Sequence, residues 1–182
     1  MEDTEALDRL LQERSVRRGD FILASGKRST FYVDARLSTM SAEGLVLIGR
    51  MGLRAIRDAG WRPAAVGGLT MGADPVAYAL AAASVTQHPI VNAFSVRKEA
   101  KSHGTGKRIE GNFQAGDAVV VVEDVITSGA SARQAIEAVR TEGGAVLGVL
   151  AVVDREEGGR RALEDAGVSV VALTTAGRLG LR

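Results

Sequence analysis

The chain has 182 residues, 46% of them hydrophobic and 25% charged, a length and balance that imply one domain with a full core rather than a disordered or fibrous chain. Lys plus Arg number 23 against 22 acids, so no whole-chain field favours nucleic acid or an anionic membrane, and any anion binding has to be local. Cysteine is absent, which excludes disulfides, thiolate metal sites and a cysteine nucleophile, and fits a reducing cytoplasm.

The amino end, MEDTEALDRLLQERSVRRGD, is charged and amphipathic and lacks the apolar stretch of a signal peptide. Apolar runs elsewhere are too short, or too rich in small residues, to span a bilayer. The sequence reads as a cytoplasmic protein with no membrane partner. Leu7, Leu10 and Leu11 recur at helical spacing behind an acid-rich turn, predicting a helix over 4–17. FILASGKRSTFYVDARL predicts two short strands around a Ser-Gly turn; alternation puts one of Phe31 and Tyr32 in the core and leaves the other free to border a ligand. Ser41 as N-cap and Gly60 as stop frame a second helix. AAVGG is a short buried strand, GADPVAYALAAASV the helix after it, and IVNAFSV a further strand, followed by a charged segment from Arg97 to Gly111. AVVVVED leads to a helix with Ala132, Ala135, Ile136 and Val139 on one face, then GAVLGVLAVVD, a short helix in GGRRALEDAG, and the strand VSVVALTT. Continuous apolar strands alternating with helices predict a doubly wound α/β fold, a central parallel sheet with helices on both faces. No linker or low-complexity tract interrupts it, so residues 1–182 form one domain. His88 reads as a loop residue, Trp61 as packing at a strand entrance, and the charges of GRRALED as a solvated helix face.

One segment stands out. VVVVEDVITSGAS ends an apolar strand in two adjacent acids, Glu123 and Asp124, then offers Thr127, Ser128 and Ser131 around Gly129 at a helix start. Strand alternation would point the two carboxylates to opposite faces, and their repulsion is costly unless they meet water, donors or a cation. Hydroxyls and closely spaced backbone N–H groups at a helix start make a cradle for a phosphate dianion, with Gly129 leaving room for the chain to approach it. A ribose 5-phosphate carries vicinal hydroxyls and a phosphate about that far apart. A strand-end Asp and a plain capping Ser would be the structural alternative. The segment is neither a Walker A loop nor a GxGxxG turn.

VVVVEDVITSGAS closely resembles the signature of the type I phosphoribosyltransferases, which bind phosphoribosyl pyrophosphate. RKEAKSHGTG (97–106) is similar to the flexible catalytic loop of the orotate branch, FILASGKRSTFYVDAR to its amino-terminal segment, and VVDREEGG to the place where that branch carries an orotate-binding arginine, here Arg155. A guanidinium fork suits a planar carboxylate. The resemblance runs from about Phe21 to Gly159. It implies a type I phosphoribosyltransferase-like fold, with residues 1–40 forming a small hood over the base and residues 97–111 a mobile loop. It further implies orotate phosphoribosyltransferase activity, giving orotidine 5′-monophosphate and pyrophosphate in pyrimidine (UMP) biosynthesis.

On that resemblance the catalytic residues are Lys101, His103 and Asp124. Arg97, Lys98, Lys101, His103, Glu123, Asp124, Val125, Ile126, Thr127, Ser128, Gly129, Ala130, Ser131 and Arg155 bind the substrates. Mg2+ is the implied cofactor, bridging pyrophosphate and ribose oxygens with little need of protein ligands, and the implied state is a homodimer sharing the loop between subunits. Two departures matter: Ala24 and Met71 stand where some members carry lysines. The short stretch after the last strand also leaves no place for a long carboxyl-terminal hood helix. A purine or uracil phosphoribosyltransferase is the rival enzyme, but it has no use for Arg155. A non-catalytic phosphoribosyl pyrophosphate sensor is the rival from another class; the near-zero net charge and the absence of a basic helix-turn-helix pattern speak against it.

Overall fold

The computed structural model describes residues 2–22, 28–99 and 108–181. Helix α1 (Glu2–Arg14) leads into the strands β1 (Val16–Ile22) and β2 (Arg28–Val33), which pair antiparallel as a separate two-stranded sheet. Two helices follow, α2 (Arg36–Thr39) and α3 (Ala42–Asp58), then β3 (Ala65–Leu69), α4 (Ala73–Ser84), β4 (Asn92–Val96) and β5 (Ile109–Gly111). The chain continues through β6 (Ala118–Ile126), α5 (Ala130–Thr141), β7 (Ala145–Asp154), α6 (Gly159–Glu164) and β8 (Val170–Thr175). The main sheet has the order β5-β4-β3-β6-β7-β8, parallel except for the β4–β5 edge pair.

Strand β6 shows why the sheet needs cover on both sides. Val119 and Val121 pack with Ala132, Ala135, Ile136 and Val139 of α5 and Leu163 of α6. Val120 and Val122 pack on the opposite face with Leu7 and Leu11 of α1, Ile48 and Leu53 of α3, and Val76 and Leu80 of α4. All four valines are fully buried, each worth about 1.5–3 kcal/mol relative to exposure. The predicted doubly wound α/β architecture is the one found.

Three details differ from the sequence reading. The first helix stops at Arg14 rather than 17, because Val16, Arg17 and Arg18 pair with Val33, Tyr32 and Phe31 in β1–β2; cross-strand pairing outweighs the local helical pattern. Strand β5 lies inside the segment read as a charged loop, held by Ile109 opposite Val96, and a lone apolar residue carries no period to detect. Helix α2 is likewise a single turn, too short for a periodic signal. By contrast Ser41 caps α3 as its spacing predicts, its hydroxyl accepting the Gly44 N–H at 3.0 Å. Trp61 packs against Gly148 of β7, where a Cβ would lie 2.2 Å from the indole, and His88 is exposed in the α4–β4 loop. No described helix is long and apolar enough to cross a membrane.

Candidate active site

The carboxyl ends of parallel strands are where a doubly wound fold leaves room for a ligand. A cavity of about 640 Å³ opens there, at the ends of β3, β6 and β7, walled also by the end of β2, the start of α2 and Lys98 beyond β4. That size suits a small molecule. Lys98, Glu123, Asp124, Val125, Thr127, Ser128, Ser131 and Arg155, all anticipated from the sequence, line it.

The acid pair departs from strand alternation. Glu123 and Asp124 both reach the cavity, because it wraps over the rim of the sheet instead of lying on one face. Glu123 is 6% exposed. Burial, then the neighbouring Asp124 charge and a side-chain hydrogen bond with Asp124, push its carboxyl well above the usual carboxylate range. Asp124 lies against Gly72 so closely that a Cβ there would sit 2.6–2.8 Å from its carboxylate. Gly72 thus lets the β3–α4 loop close over the acid.

The bend after the acids sets Thr127, Ser128 and Ser131 around the first turn of α5. Its N-cap, Gly129, brings no side chain to the helix start, so the first-turn N–H groups keep their hydrogen-bonding capacity for an anion. The glycine is needed for a reason the sequence did not disclose. Its φ is +75°, and a Cβ would sit 3.0 Å from the Gly159 carbonyl and 3.2 Å from Leu163 Cγ. The position gives way to α6. Gly129, Ala130 and Ile126 do not line the cavity. Ile126 is fully buried, and its carbonyl accepts the Arg155 N–H at 3.0 Å, tying the hydroxyl-rich bend to the arginine.

Arg155 is 5% exposed. Its Nε donates to Glu157 Oε1 at 2.8 Å, Nη2 lies 2.6 Å from the same oxygen, and the guanidinium stacks 4.6 Å over the Phe31 ring. Arg97, in contrast, bridges to Glu110 at 3.1 Å across β4–β5 and is not part of the lining. Lys101 and His103, most of the 97–111 segment and Ala24 lie outside the described residues.

Phe31 packs on the core and Tyr32 borders the cavity, the split that strand alternation predicts, but the sequence reading missed Asp34 and Arg36 beside Tyr32, as well as Thr70 and Glu157. Arg36 grips Asp34 through two hydrogen bonds of 2.8 and 2.9 Å, and this guanidinium holds the Asp34 carboxyl below its usual range. A faint sign existed: Asp-x-Arg at the end of a strand allows such a fork. Met71, 60% exposed, lines the cavity where a lysine would add charge.

The donors facing the cavity around the acid pair are oxygens: two carboxylates and the hydroxyls of Thr127, Ser128 and Ser131. Such a set suits a hard divalent cation. No cluster of three or more His, Cys, Asp or Glu side chains placed to hold a metal forms among the described residues.

The sequence pattern of the phosphoribosyl transferase domain matches residues 42–172. An orotate phosphoribosyltransferase of Aquifex aeolicus is 45% identical over 176 residues, covering 95% of each chain, and that of Mycobacterium avium is 45% identical over 179 residues, 98% of this chain and 97% of the other. The crystal structure of the Mycobacterium tuberculosis orotate phosphoribosyltransferase with 5-phospho-alpha-D-ribosyl 1-diphosphate superposes with a TM-score of 0.83 at 38% identity, covering 98% and 99% of the two chains.

Proposed function

This chain belongs to the phosphoribosyl transferase domain family, in its orotate phosphoribosyltransferase branch, and on that premise we propose how its residues divide the reaction. Phosphoribosyl pyrophosphate and orotate are converted to orotidine 5′-monophosphate and pyrophosphate. The bond from C1 of the ribose to the pyrophosphate oxygen breaks, its electron pair leaving with pyrophosphate, and N1 of orotate supplies the pair for the new bond. No proton comes off carbon; the proton that N1 of orotate loses passes to the departing pyrophosphate or to water. The protein's task is to hold sugar and base in line and to neutralise charge growing on the leaving group.

The first turn of α5 with Thr127, Ser128 and Ser131 anchors the 5-phosphate, while Glu123 and Asp124 take the ribose hydroxyls. Arg155 receives the orotate carboxylate, and Lys98 faces the pyrophosphate. Lys101 is the main electrostatic catalyst and His103 donates to the leaving oxygen; these two assignments rest on the RKEAKSHG motif. Mg2+, when bound, neutralises charge on the pyrophosphate, and the oxygen donors of the acid pair are the protein groups that fit it. The enzyme works as a cytoplasmic homodimer in which the 97–111 segment serves the neighbouring site.

One observation carries the choice of acceptor: a nearly buried arginine in the same cavity as the acid pair and the hydroxyl-rich bend. A purine or uracil acceptor carries no carboxylate for that guanidinium, whereas orotate offers a planar one that a guanidinium fork fits. The test is a panel assay with phosphoribosyl pyrophosphate, Mg2+ and orotate, uracil, adenine, guanine or xanthine in turn. Orotate alone should be consumed; turnover of a neutral base at a comparable rate refutes the assignment.

A further inference from the structure

Arg155 is more tightly held than a carboxylate receptor requires. Its side chain is 4% exposed, and Glu157 Oε1 meets both Nε and Nη2, at 2.8 and 2.6 Å. Phe31 backs one face of the guanidinium at 4.6 Å, and Ser29 Oγ stands 3.5 Å from Nη2. Nη1 has no protein hydrogen-bond partner among the described residues, yet it is not sealed: the sealed, unpartnered side-chain atoms found there are Thr39 Oγ1 and Arg108 Nε. The held edge is therefore Nε–Nη2, and the end bearing Nη1 is left to the cavity that Arg155 and Glu157 both line.

The backbone around them is built to put both side chains on that cavity. Glu156, between them, adopts a left-handed φ of 58°, a conformation that costs a non-glycine residue about 1 kcal/mol or more. Two contacts hold it. Asp154 Oδ1 accepts the Glu156 N–H at 2.8 Å, and Glu156 Oε2 accepts the Gly177 N–H at 2.6 Å. The Asp154 carbonyl accepts the Ala176 N–H at 2.8 Å, so the turn is fastened to the chain leaving β8.

We propose that Glu157 is a positioning residue for the acceptor base: by clamping the Nε–Nη2 edge of Arg155 it aims the free end of the guanidinium at the carboxylate of orotate. The inference rests on the assignment of Arg155 above. The Glu157 side chain is 30% exposed, and its Oε1 is engaged by both Nε and Nη2 of the arginine. A loosened guanidinium can collapse onto other acceptors or turn its fork, and a planar carboxylate then loses its paired donors.

The test compares Glu157→Ala and Glu157→Gln with Arg155→Gln, reading KM for each substrate and the dissociation constants of orotidine 5′-monophosphate and UMP, which differ by the carboxylate alone. Glu157→Ala should raise KM for orotate about tenfold, the usual effect of losing a charged hydrogen bond. KM for phosphoribosyl pyrophosphate and kcat should stay within about twofold, effects too small for a lost charged contact. Orotidine 5′-monophosphate should weaken while UMP does not, and Glu157→Gln, which keeps an acceptor oxygen, should recover part of the loss. If Glu157→Ala unfolds, the Gln variant carries the same comparison. Equal weakening of the two nucleotides, or no weakening, overturns the clamp; so does tighter orotate binding, which would mark Glu157 as a competitor for the fork. Should Arg155→Gln itself leave the nucleotide ratio unchanged, the carboxylate assignment fails, and the clamp with it.

Discussion

Glu123 is a buried acid at 6% exposure, with Asp124 beside it and its carboxyl pushed above the usual range. A carboxyl raised in the folded state contributes stability that is complete below its unfolded pKa and is lost as pH climbs through the raised folded value. Thermal denaturation should therefore show melting temperature falling as pH rises above the ordinary carboxylate range, and Glu123→Gln should flatten that decline. An unchanged slope would mean that the acid ionises freely in the fold. Lys101 makes a complementary case: as the proposed electrostatic catalyst, its loss should act on turnover. Lys101→Ala should lower kcat by roughly 10²–10³, like the loss of one oxyanion-type donor, with KM values changing far less; steady-state kinetics with unchanged kcat would remove the role.

The functional unit at the element scale is β6, its bend and the first turn of α5. The orientation of that turn depends on Gly129, whose φ of +75° and 3.0 Å clearance from the Gly159 carbonyl leave no place for a side chain. Gly129→Ala should cost about 1–2 kcal/mol through the left-handed conformation. It should also raise KM for phosphoribosyl pyrophosphate more than KM for orotate, because the displaced element carries the proposed phosphate cradle and not the arginine side chain. Denaturant titration and the two KM values check both parts. Helix α6 thereby acts on the cradle without touching a ligand.

Across the whole molecule, α1 is tied to the far end of the sheet. Asp8 accepts from Thr174 of β8 and takes two hydrogen bonds from Arg178, at 2.8 and 3.2 Å. The start of the chain is thus fastened at β8, while β2, which follows it, reaches the cavity through Tyr32 and Val33. The proposed homodimer with a shared 97–111 segment is also a property of this scale. Lys101→Ala and Asp124→Asn, each poorly active alone, should regain activity when mixed under conditions of subunit exchange, since one hybrid site then receives an intact loop and an intact acid. Mixed assays showing no recovery, or a fully active monomer by sedimentation, would refute the sharing.

Much of this protein was legible before folding. Apolar strands alternating with helices specify two-sided burial, because that signal repeats at the period of the backbone, and the run from Val119 to Ser131 carries the family resemblance within one continuous stretch. Arg36, Glu157 and the fit of Gly129 against α6 were not legible. Arg36 and Glu157 grip groups only two residues away, Asp34 and Arg155, but that both pairs face one cavity depends on how distant strand ends meet, and Gly129 on how its bend meets α6; neither propensity nor spacing records such meetings. Glu123 shows the boundary most clearly: its place in the motif is a fact of sequence, whereas its reluctance to ionise comes from burial beside Asp124, which only the assembled sheet rim supplies.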